Sequence, residues 1–337
     1  MKIEFLKNFA RDALCLVVSL FSKLVTIVYD SGFKSSKFEE VELVKELREA
    51  LEELAVQETR NPPPSEKFWR ENINSIRELI LGGHHGDFLR WPIFSNMFVG
   101  NEYYIITEFV HLLRRRDWHR RWKEAIRECI AGNPPPFFLY PSSSGNLIHH
   151  AYHLSQFEEQ AGIKIDTLEY VFEFGGGYGS MCRLFYNLGF RGKYLIYDYP
   201  ALSALQKYFL CSLDIPVYTT TSFASADTGV VCVSDIEELR PILKNNFRTT
   251  NSLFIAMWSI SETEETLRNF IHSLIPGFSS YFVAYQDQFA EMDNIDYFEK
   301  IKRDYGRLFQ WKERKIRHLR GNNYLIGRRF RDISMGI

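Results

Sequence analysis

The sequence predicts an α/β fold, in which a mostly parallel sheet follows an α-helical N-terminal region. Two observations support this prediction. Residues 170–200 contain in turn a short apolar run, a glycine-rich turn, a run with helical spacing and a second apolar run, which is the pattern of a β-turn-α-β unit. More runs of strand length continue to the C-terminus, whereas the earlier residues have helical periodicity. We therefore divide the chain into a helical region, 1–164, and a sheet domain, 165–337.

Composition narrows the class of protein. The 337 residues are 45% hydrophobic, enough for one large domain or two modest ones. The formal net charge of -1 gives no general attraction to nucleic acid or to acidic membranes. The five cysteines are scattered without a C-x-x-C pair, so we expect reduced core residues rather than disulfides or metal ligands.

The first apolar segment, residues 13–29, follows three basic residues and contains Lys23. No small-residue cleavage site follows it, which argues against a secretory signal. At 17 residues it is short for a membrane-spanning helix. We favour a buried helix of the fold. An interfacial helix lying on the membrane, with its basic residues toward the headgroups, is the alternative.

Helical spacing dominates the rest of the N-terminal region. Apolar residues recur every three or four positions over residues 38–56, and the prolines of "NPPP" at 61–64 end that helix. A second "NPPP" at 133–136 ends another. Between them, residues 112–124 interleave five arginines with two tryptophans. We interpret this run as a solvated face, with a grip on an acidic or nucleotide-linked sugar as one alternative and nucleic acid as a weaker one.

The β-turn-α-β unit predicts a nucleoside pocket. "YVFEF", residues 170–174, is a buried strand, and a helix from Ser180 follows the glycine-rich turn. Such a turn lets the backbone approach a ligand near the positive end of a helix. Asp198 ends the second strand "KYLIYD", where a carboxylate can accept hydrogen bonds from ribose hydroxyls.

The glycine pattern argues against a dinucleotide. Dinucleotide sites follow G-x-G-x-x-G, or end in alanine, and here Ser180 stands at the last position. Glu173 precedes the turn, where it would repel phosphates and would suit a ligand that carries an ammonium group. S-adenosylmethionine has an ammonium and a sulfonium charge and no phosphate. The sequence thus predicts cofactor contacts at the following positions: Glu173, Gly175, Gly176, Gly177, Gly179 and Asp198.

These residues resemble motif I of the class I S-adenosylmethionine-dependent methyltransferases. More narrowly, "VFEFGGGYGSMCRL", "YLIYDYPALSALQKYFL", "LFIAMWSISE" and "FVAYQDQFAEMDNIDYF" resemble the sugar O-methyltransferases encoded in bacterial surface-polysaccharide clusters. The likeness covers the C-terminal half and extends loosely back to "SSSGNLIHHAYHLS". It implies a Rossmann-like class I methyltransferase sheet with an antiparallel last strand.

The later strands place further candidates at the same edge of the sheet, beyond the strand carboxyl ends. Eight strands are one more than the usual seven, so "IPVYTT" or "GVVCVS" should be an irregular extension. The adenine contact then falls to Ser234 with Asp235, or to Thr221 with Ser222, and we select Ser234. "RKIRHL" and "NYLIGRRF" should form the closing hairpin.

A sugar hydroxyl needs a base to accept its proton as the methyl transfers. The candidates are Glu262, Asp287 and His150, the last from a segment whose other histidines are His149 and His153. Glu262 is equally suited to help cap a helix with Ser259 or Ser261. The catalytic histidine of plant small-molecule O-methyltransferases is absent from "AMWSISE". Asp287, Asp293 and Asn294 offer oxygen ligands, but their spacing matches no metal signature, and we assign no metal.

We therefore expect an S-adenosylmethionine-dependent O-methyltransferase that acts on a sugar hydroxyl of a bacterial surface glycan or its precursor. The expected partner is this sugar or glycan, not nucleic acid. The expected location is the cytoplasm, with residues 13–29 a candidate contact to the inner face of the membrane. The alternatives are an NAD-linked sugar oxidoreductase or epimerase and a methyltransferase-like protein that binds without catalysis.

Overall fold

The computed structural model describes residues 40–54, 64–97, 100, 102–246 and 251–330. The predicted helix or membrane contact at 13–29 lies outside these residues. Helices make up most of the described N-terminal part: α1 (Glu40–Glu52), α2 (Pro64–Leu81), α3 (Pro92–Met97), α4 (Ile105–Leu113) and α5 (Lys123–Ala125). Within the described residues, none of the helices is long and apolar enough to cross a membrane.

A small hairpin and a long helix lead into the sheet. The hairpin pairs β1 (Pro136–Phe137) with β2 (Tyr140–Ser144) and was not predicted. Helix α6 (Gly145–Ala161) begins at Ser144, whose side chain accepts from the Leu147 backbone N–H, and ends at Gly162 in the left-handed conformation.

Within the described residues, eight strands form the main sheet. They are β3 (Tyr170–Phe174), β4 (Lys193–Tyr197), β5 (Val217–Tyr218), β6 (Gly229–Val233), β7 (Ser252–Met257), β8 (Ser280–Gln286), β11 (Phe309–Lys315) and β12 (Asn322–Arg329). Their order is β11-β12-β8-β7-β3-β4-β6-β5. All pairs from β8 to β5 are parallel, and β12 is antiparallel to both β8 and β11. This confirms the Rossmann-like class I methyltransferase sheet.

Helices connect the parallel strands, because neighbouring parallel strands need a crossover connection. They are α7 (Ser180–Asn187), α8 (Pro200–Cys211), α9 (Thr220–Ser225), α10 (Ile236–Asn246), α11 (Glu265–Leu274) and α12 (Asn294–Asp304). A two-stranded ribbon of β9 (Gln288–Phe289) and β10 (Met292–Asp293) precedes α12.

The eighth strand is the irregular extension that the sequence predicted. "IPVYTT" supplies only the two-residue edge strand β5, whereas "GVVCVS" supplies β6 in the sheet interior. The closing hairpin is also confirmed, but its first strand was misplaced. It covers Phe309–Lys315, and residues 316–321 form the turn rather than the strand "RKIRHL".

Alternate residues of the central strands enter two different cores, as the period of a strand requires. Val171 faces a cluster that includes buried residues of α1, α2, α4 and α6, whereas Phe172 faces a cluster formed with α10, α11 and α12. The N-terminal helices therefore share one core with one face of the sheet. The described cysteines are unpaired thiols, as expected.

Two arginines of the arginine–tryptophan run are held against α6, whereas Arg114, Arg116 and Arg120 are exposed, as predicted for a solvated face. Arg121 Nη1 lies 2.7 Å from Glu158 Oε2, and Arg115 also pairs with the carboxylates of α6. The two arginine side chains are only 17% and 11% exposed, and Trp122 is fully buried beneath them. These ion pairs join the run to the fold.

Candidate active site

A cavity of about 430 Å³ opens at the carboxyl ends of β3, β4, β6 and β7. This is the edge at which open α/β sheets bind ligands. Most of the predicted site residues line it: Glu173, Gly175, Gly176, Gly177, Asp198, Ser234, Glu262 and His150. Gly179 and Asp287 do not belong to the lining.

The glycine-rich turn is packed directly against the turn that follows β7. Gly175 has φ +75°, and a Cβ added there would lie 2.2 Å from the Cβ of Ser259. The Ser259 hydroxyl donates a hydrogen bond to the Phe174 carbonyl. A side chain at Gly175 would thus separate two loops that form one wall of the cavity. Gly179, with φ +94°, begins α7.

Asp198 organises the glycine-rich turn. Its Oδ2 accepts hydrogen bonds from the Gly177 backbone N–H (2.8 Å) and from Gln206 Nε2 (3.0 Å), and its Oδ1 accepts from the Tyr199 N–H (2.8 Å). Gln206 Nε2 also donates to the Gly177 carbonyl. Burial raises the pKa of the Asp198 carboxyl to about 7, against the effect of these donors.

Glu173 lies beneath the turn, where its carboxyl is buried and accepts a hydrogen bond from the Tyr194 hydroxyl at 2.8 Å. Burial raises its pKa to about 8, and the nearby Asp198 charge acts in the same direction. The group is therefore largely protonated at neutral pH. A cationic ligand in the cavity would favour its ionised form.

Glu262 lies in the single turn of 3₁₀ helix that follows β7. Gln286 Nε2 donates to its Oε1 at 3.0 Å, and the side chain of Trp69 also donates to it. Burial outweighs these hydrogen bonds and raises the pKa of Glu262 to about 7. A carboxyl with this pKa on a cavity wall is suited to accept a proton at neutral pH.

The capping role considered for Glu262 belongs to Glu264. The Glu264 carboxylate accepts from the backbone N–H groups of Thr266 and Leu267 at the start of α11. Ser259 and Ser261 do not cap either, because their hydroxyls donate to the carbonyls of Phe174 and Trp258. Glu262 is therefore available for another role.

The other two candidate bases differ in position. His150 of α6 lines the cavity, and its Nδ1 lies 3.2 Å from the Ser180 hydroxyl. Burial lowers its pKa to about 3, so the ring is neutral. Asp287 instead accepts a hydrogen bond from Asn323 Nδ2 at 2.6 Å, away from the lining.

The structure also distinguishes between the two pairs of candidates for the adenine contact. Ser234 follows β6 and lines the cavity, while Asp235 caps α10 through the Glu237 N–H. Ser222 bonds to Thr219 at the start of α9, and neither Thr221 nor Ser222 reaches the lining.

The three oxygen ligands considered for a metal are occupied by the fold. Asp293 caps α12, and the Asn294 side chain bonds to Ser261 and Arg268. Among the described residues, neither Asp287 nor Asp293 belongs to a metal-binding group of His, Cys, Asp and Glu side chains.

Aromatic residues form part of the cavity wall that the sequence analysis did not identify. Trp69 and Tyr199 stack with an interplanar angle of 25°. Trp258 has φ +61°, an unusual conformation for a bulky residue. Its Nε1 donates to Asn322 Oδ1 at 2.6 Å, and its ring stacks on His149. Backbone strain of this kind is concentrated at functional sites.

The cavity is acidic. Its described lining has five carboxyl groups and neither lysine nor arginine: Glu66, Glu173, Asp198, Glu262 and Glu264. Arg70 pairs with Glu66 through its Nε at 2.8 Å, and burial raises the pKa of three of the others to between about 7 and 8. Such a lining favours a cationic ligand over a phosphorylated one.

No family model matches the chain, and no curated protein matches it. Solved structures with a similar fold include the N-terminal domain of human METTL16 in complex with SAH (13% identity, TM-score 0.37, covering 55% of this chain and 71% of that one). A second is the precorrin-6y C5,15-methyltransferase of Geobacter metallireducens (12% identity, TM-score 0.35, covering 53% of this chain and 86% of that one). A third is the fibrillarin pre-rRNA processing protein of Methanococcus jannaschii (8% identity, TM-score 0.35, covering 50% of this chain and 69% of that one). At these TM-scores the matches carry no weight in assigning a function, which depends on the cavity itself.

Proposed function

We propose that this protein transfers a methyl group from S-adenosylmethionine to a sugar hydroxyl, with a bacterial surface glycan or its precursor as the acceptor. The observation that carries the proposal is the acidic cavity at the glycine-rich turn. Asp198 and Glu173 both line this cavity, where Asp198 would accept a hydrogen bond from the ribose and Glu173 would provide a carboxyl for the ammonium group.

The charge of the lining supports this cofactor over NAD. The pyrophosphate of a dinucleotide would meet five carboxyl groups with neither lysine nor arginine among the described lining residues. S-adenosylmethionine brings a sulfonium and an ammonium group, which these carboxyls stabilise. The same argument favours an acceptor whose part inside the cavity carries no phosphate.

Glu262 is the base that the geometry favours. It lies on the wall formed by the turn after β7, which Ser259 joins to the glycine-rich turn. A methyl donor held at the glycine-rich turn would thus be close to Glu262. In an SN2 transfer, alignment of the acceptor oxygen, methyl and sulfur supplies much of the acceleration. Glu262 would accept the hydroxyl proton as the C–O bond forms and S-adenosylhomocysteine leaves.

The aromatic wall supports a sugar acceptor. The rings of Trp69 and Tyr199 line the cavity, and Glu262 and Glu264 add hydrogen-bond acceptors for hydroxyl groups. Apolar ring faces beside a few polar groups suit a ligand with C–H faces and hydroxyl edges.

Methyl transfer to a cell-envelope glycan extract tests the proposal. We expect the mass of one methyl group to be added to a sugar in the presence of S-adenosylmethionine, and we expect Glu262→Gln to abolish most of this transfer. Tight cofactor binding with no transfer to any glycan would support a protein that binds without catalysis. The proposed function would then be wrong.

A further inference from the structure

A cluster of buried titratable side chains lies beside the cavity and has no role in the proposed methyl transfer. It consists of Glu108 of α4, His149 and His153 of α6, and His318 in the turn between β11 and β12; we call it the histidine cluster. Glu108 and His153 are fully buried, and His149 is 2% exposed. Because His149 also lines the cavity, the cluster adjoins its wall.

The two histidines of α6 have an arrangement typical of metal ligands. They are four residues apart, so their rings lie on the same face of the helix. Their Nε2 atoms face each other at 2.9 Å. The Nδ1 of His149 lies 2.8 Å and 2.9 Å from the two carboxylate oxygens of Glu108, and the Nδ1 of His153 hydrogen-bonds with the Tyr324 hydroxyl.

Metal-binding histidines usually donate the N–H of the other ring nitrogen to a carboxylate or another oxygen, which fixes the orientation of the ring. Glu108 and Tyr324 provide these oxygens here.

The distance between the two Nε2 atoms is nearly the distance that a shared metal ion requires. Metal–nitrogen bonds of about 2.0–2.1 Å in tetrahedral geometry place two ligand nitrogens roughly 3.3 Å apart. The Nε2 atoms would have to separate by only about 0.4 Å from their present 2.9 Å. One ligand atom from each of Glu108, His149 and His153 lies within 4.8 Å of the other two, and the Glu108 carboxylate lies against Nδ1 of His149, on the side of the ring away from Nε2.

The cluster also contains a negative charge that can balance a bound cation. A buried divalent ion requires a negative partner, and Glu108 supplies one. His318 Nε2 lies 2.6 Å from Glu108 Oε1 and orients the carboxylate from the opposite side. Imidazole ligands suit zinc, cobalt and nickel, whereas magnesium and calcium prefer oxygen.

We propose that the histidine cluster binds one divalent transition-metal ion of the zinc class, with the Nε2 atoms of His149 and His153 as ligands and Glu108 as the carboxylate that orients His149 through its Nδ1. This proposal does not depend on the proposed methyl transfer, because its test measures metal binding alone.

The test adds Zn²⁺ or Co²⁺ to the full chain after treatment with a chelator. We expect one ion per chain after dialysis, and X-ray absorption of the zinc-loaded protein should show imidazole ligands. His149→Gln and His153→Gln should each weaken binding by roughly tenfold or more. His150→Gln is the matched control, since His150 lies on the same helix and its Nδ1 hydrogen-bonds with Ser180 rather than with a member of the cluster; this variant should bind the metal normally.

Two results would overturn the proposal. One is a wild-type protein that retains no ion. The other is equal affinity in the double variant His149→Gln/His153→Gln, which would place the ion elsewhere. If the buried variants fail to fold by circular dichroism, Tyr324→Phe still tests the site. It keeps both ligands and removes the hydroxyl on His153, so it should weaken binding, and unchanged affinity would contradict the site.

Discussion

Replacing Asp198 with alanine should weaken the binding of both S-adenosylmethionine and S-adenosylhomocysteine by about 10 to 150-fold. Three protein donors, from Gly177, Tyr199 and Gln206, lie within 3.0 Å of the carboxylate oxygens. A carboxylate offers about four acceptor positions, which leaves about one for a ribose hydroxyl. One charge-assisted hydrogen bond is worth roughly 1.5 to 3 kcal/mol, and this range gives the expected loss.

Titration calorimetry with each ligand measures the effect. Both ligands have the same ribose, so their losses should be similar. Asp235→Ala is the matched control, because Asp235 also follows a parallel strand but caps α10 outside the cavity lining. It should bind both ligands as the wild type does.

A second variant separates the ribose contact from the support of the turn. Gln206→Ala removes a donor to both Asp198 and the Gly177 carbonyl but leaves the carboxylate in place. If it lost as much affinity as Asp198→Ala, the role of Asp198 would be to hold the turn. If Asp198→Ala bound both ligands as tightly as the wild type, the assignment of the pocket would be refuted.

Three further variants test other parts of the site. Glu262→Gln should keep cofactor affinity and lower kcat by roughly 10² to 10⁴-fold. The kcat of the wild type should rise with pH through about 7, where Glu262 ionises. Full turnover in the variant would exclude Glu262 as the base. Glu173, with a pKa of about 8, must lose a proton to pair with an ammonium group, so S-adenosylmethionine affinity should rise between about pH 6 and 8 with proton release. Calorimetry in buffers of different ionisation heat detects this release, and Glu173→Gln should reduce it. Wild-type binding that does not depend on pH would contradict the pairing. Gly177→Val places a β-branched residue at φ +58° and should abolish cofactor binding. Circular dichroism should show that the variant still folds. Micromolar affinity in the folded variant would count against the position of the pocket.

The fold could be predicted because its signals are local. Glycines at fixed spacing after an apolar strand, helical spacing from Ser180 and an acid after the second strand all lie within residues 170–200. The structure confirms each of these elements. The closing hairpin was less well placed, because the run from Lys312 to Lys315 is largely charged and mostly exposed and has little apolar alternation to indicate a strand.

The cavity wall was harder to predict because it is assembled from distant parts of the chain. Trp69 comes from α2, His150 from α6 and Glu262 from the turn after β7. Only the position after a strand distinguished Glu262 in the sequence. Its pKa depends on burial and on hydrogen bonds from Gln286 and Trp69, neither of which is adjacent to it in the chain.

The histidine cluster was hard to predict for the same reason, because its residues come from distant parts of the chain. The spacing of His149 and His153 is a signal that the sequence contains, but Glu108, His318 and Tyr324 lie tens to hundreds of residues away. Only the packing of α6 between α4 and the closing hairpin brings them together.

The central claim is that the acidic cavity holds S-adenosylmethionine, and the most direct measurement is calorimetric titration of the full chain with S-adenosylmethionine and, separately, with NAD. We expect saturable binding of one S-adenosylmethionine per chain and no binding of NAD, because the described lining offers carboxyl groups and neither lysine nor arginine to a pyrophosphate. Saturable binding of NAD without binding of S-adenosylmethionine would contradict this account.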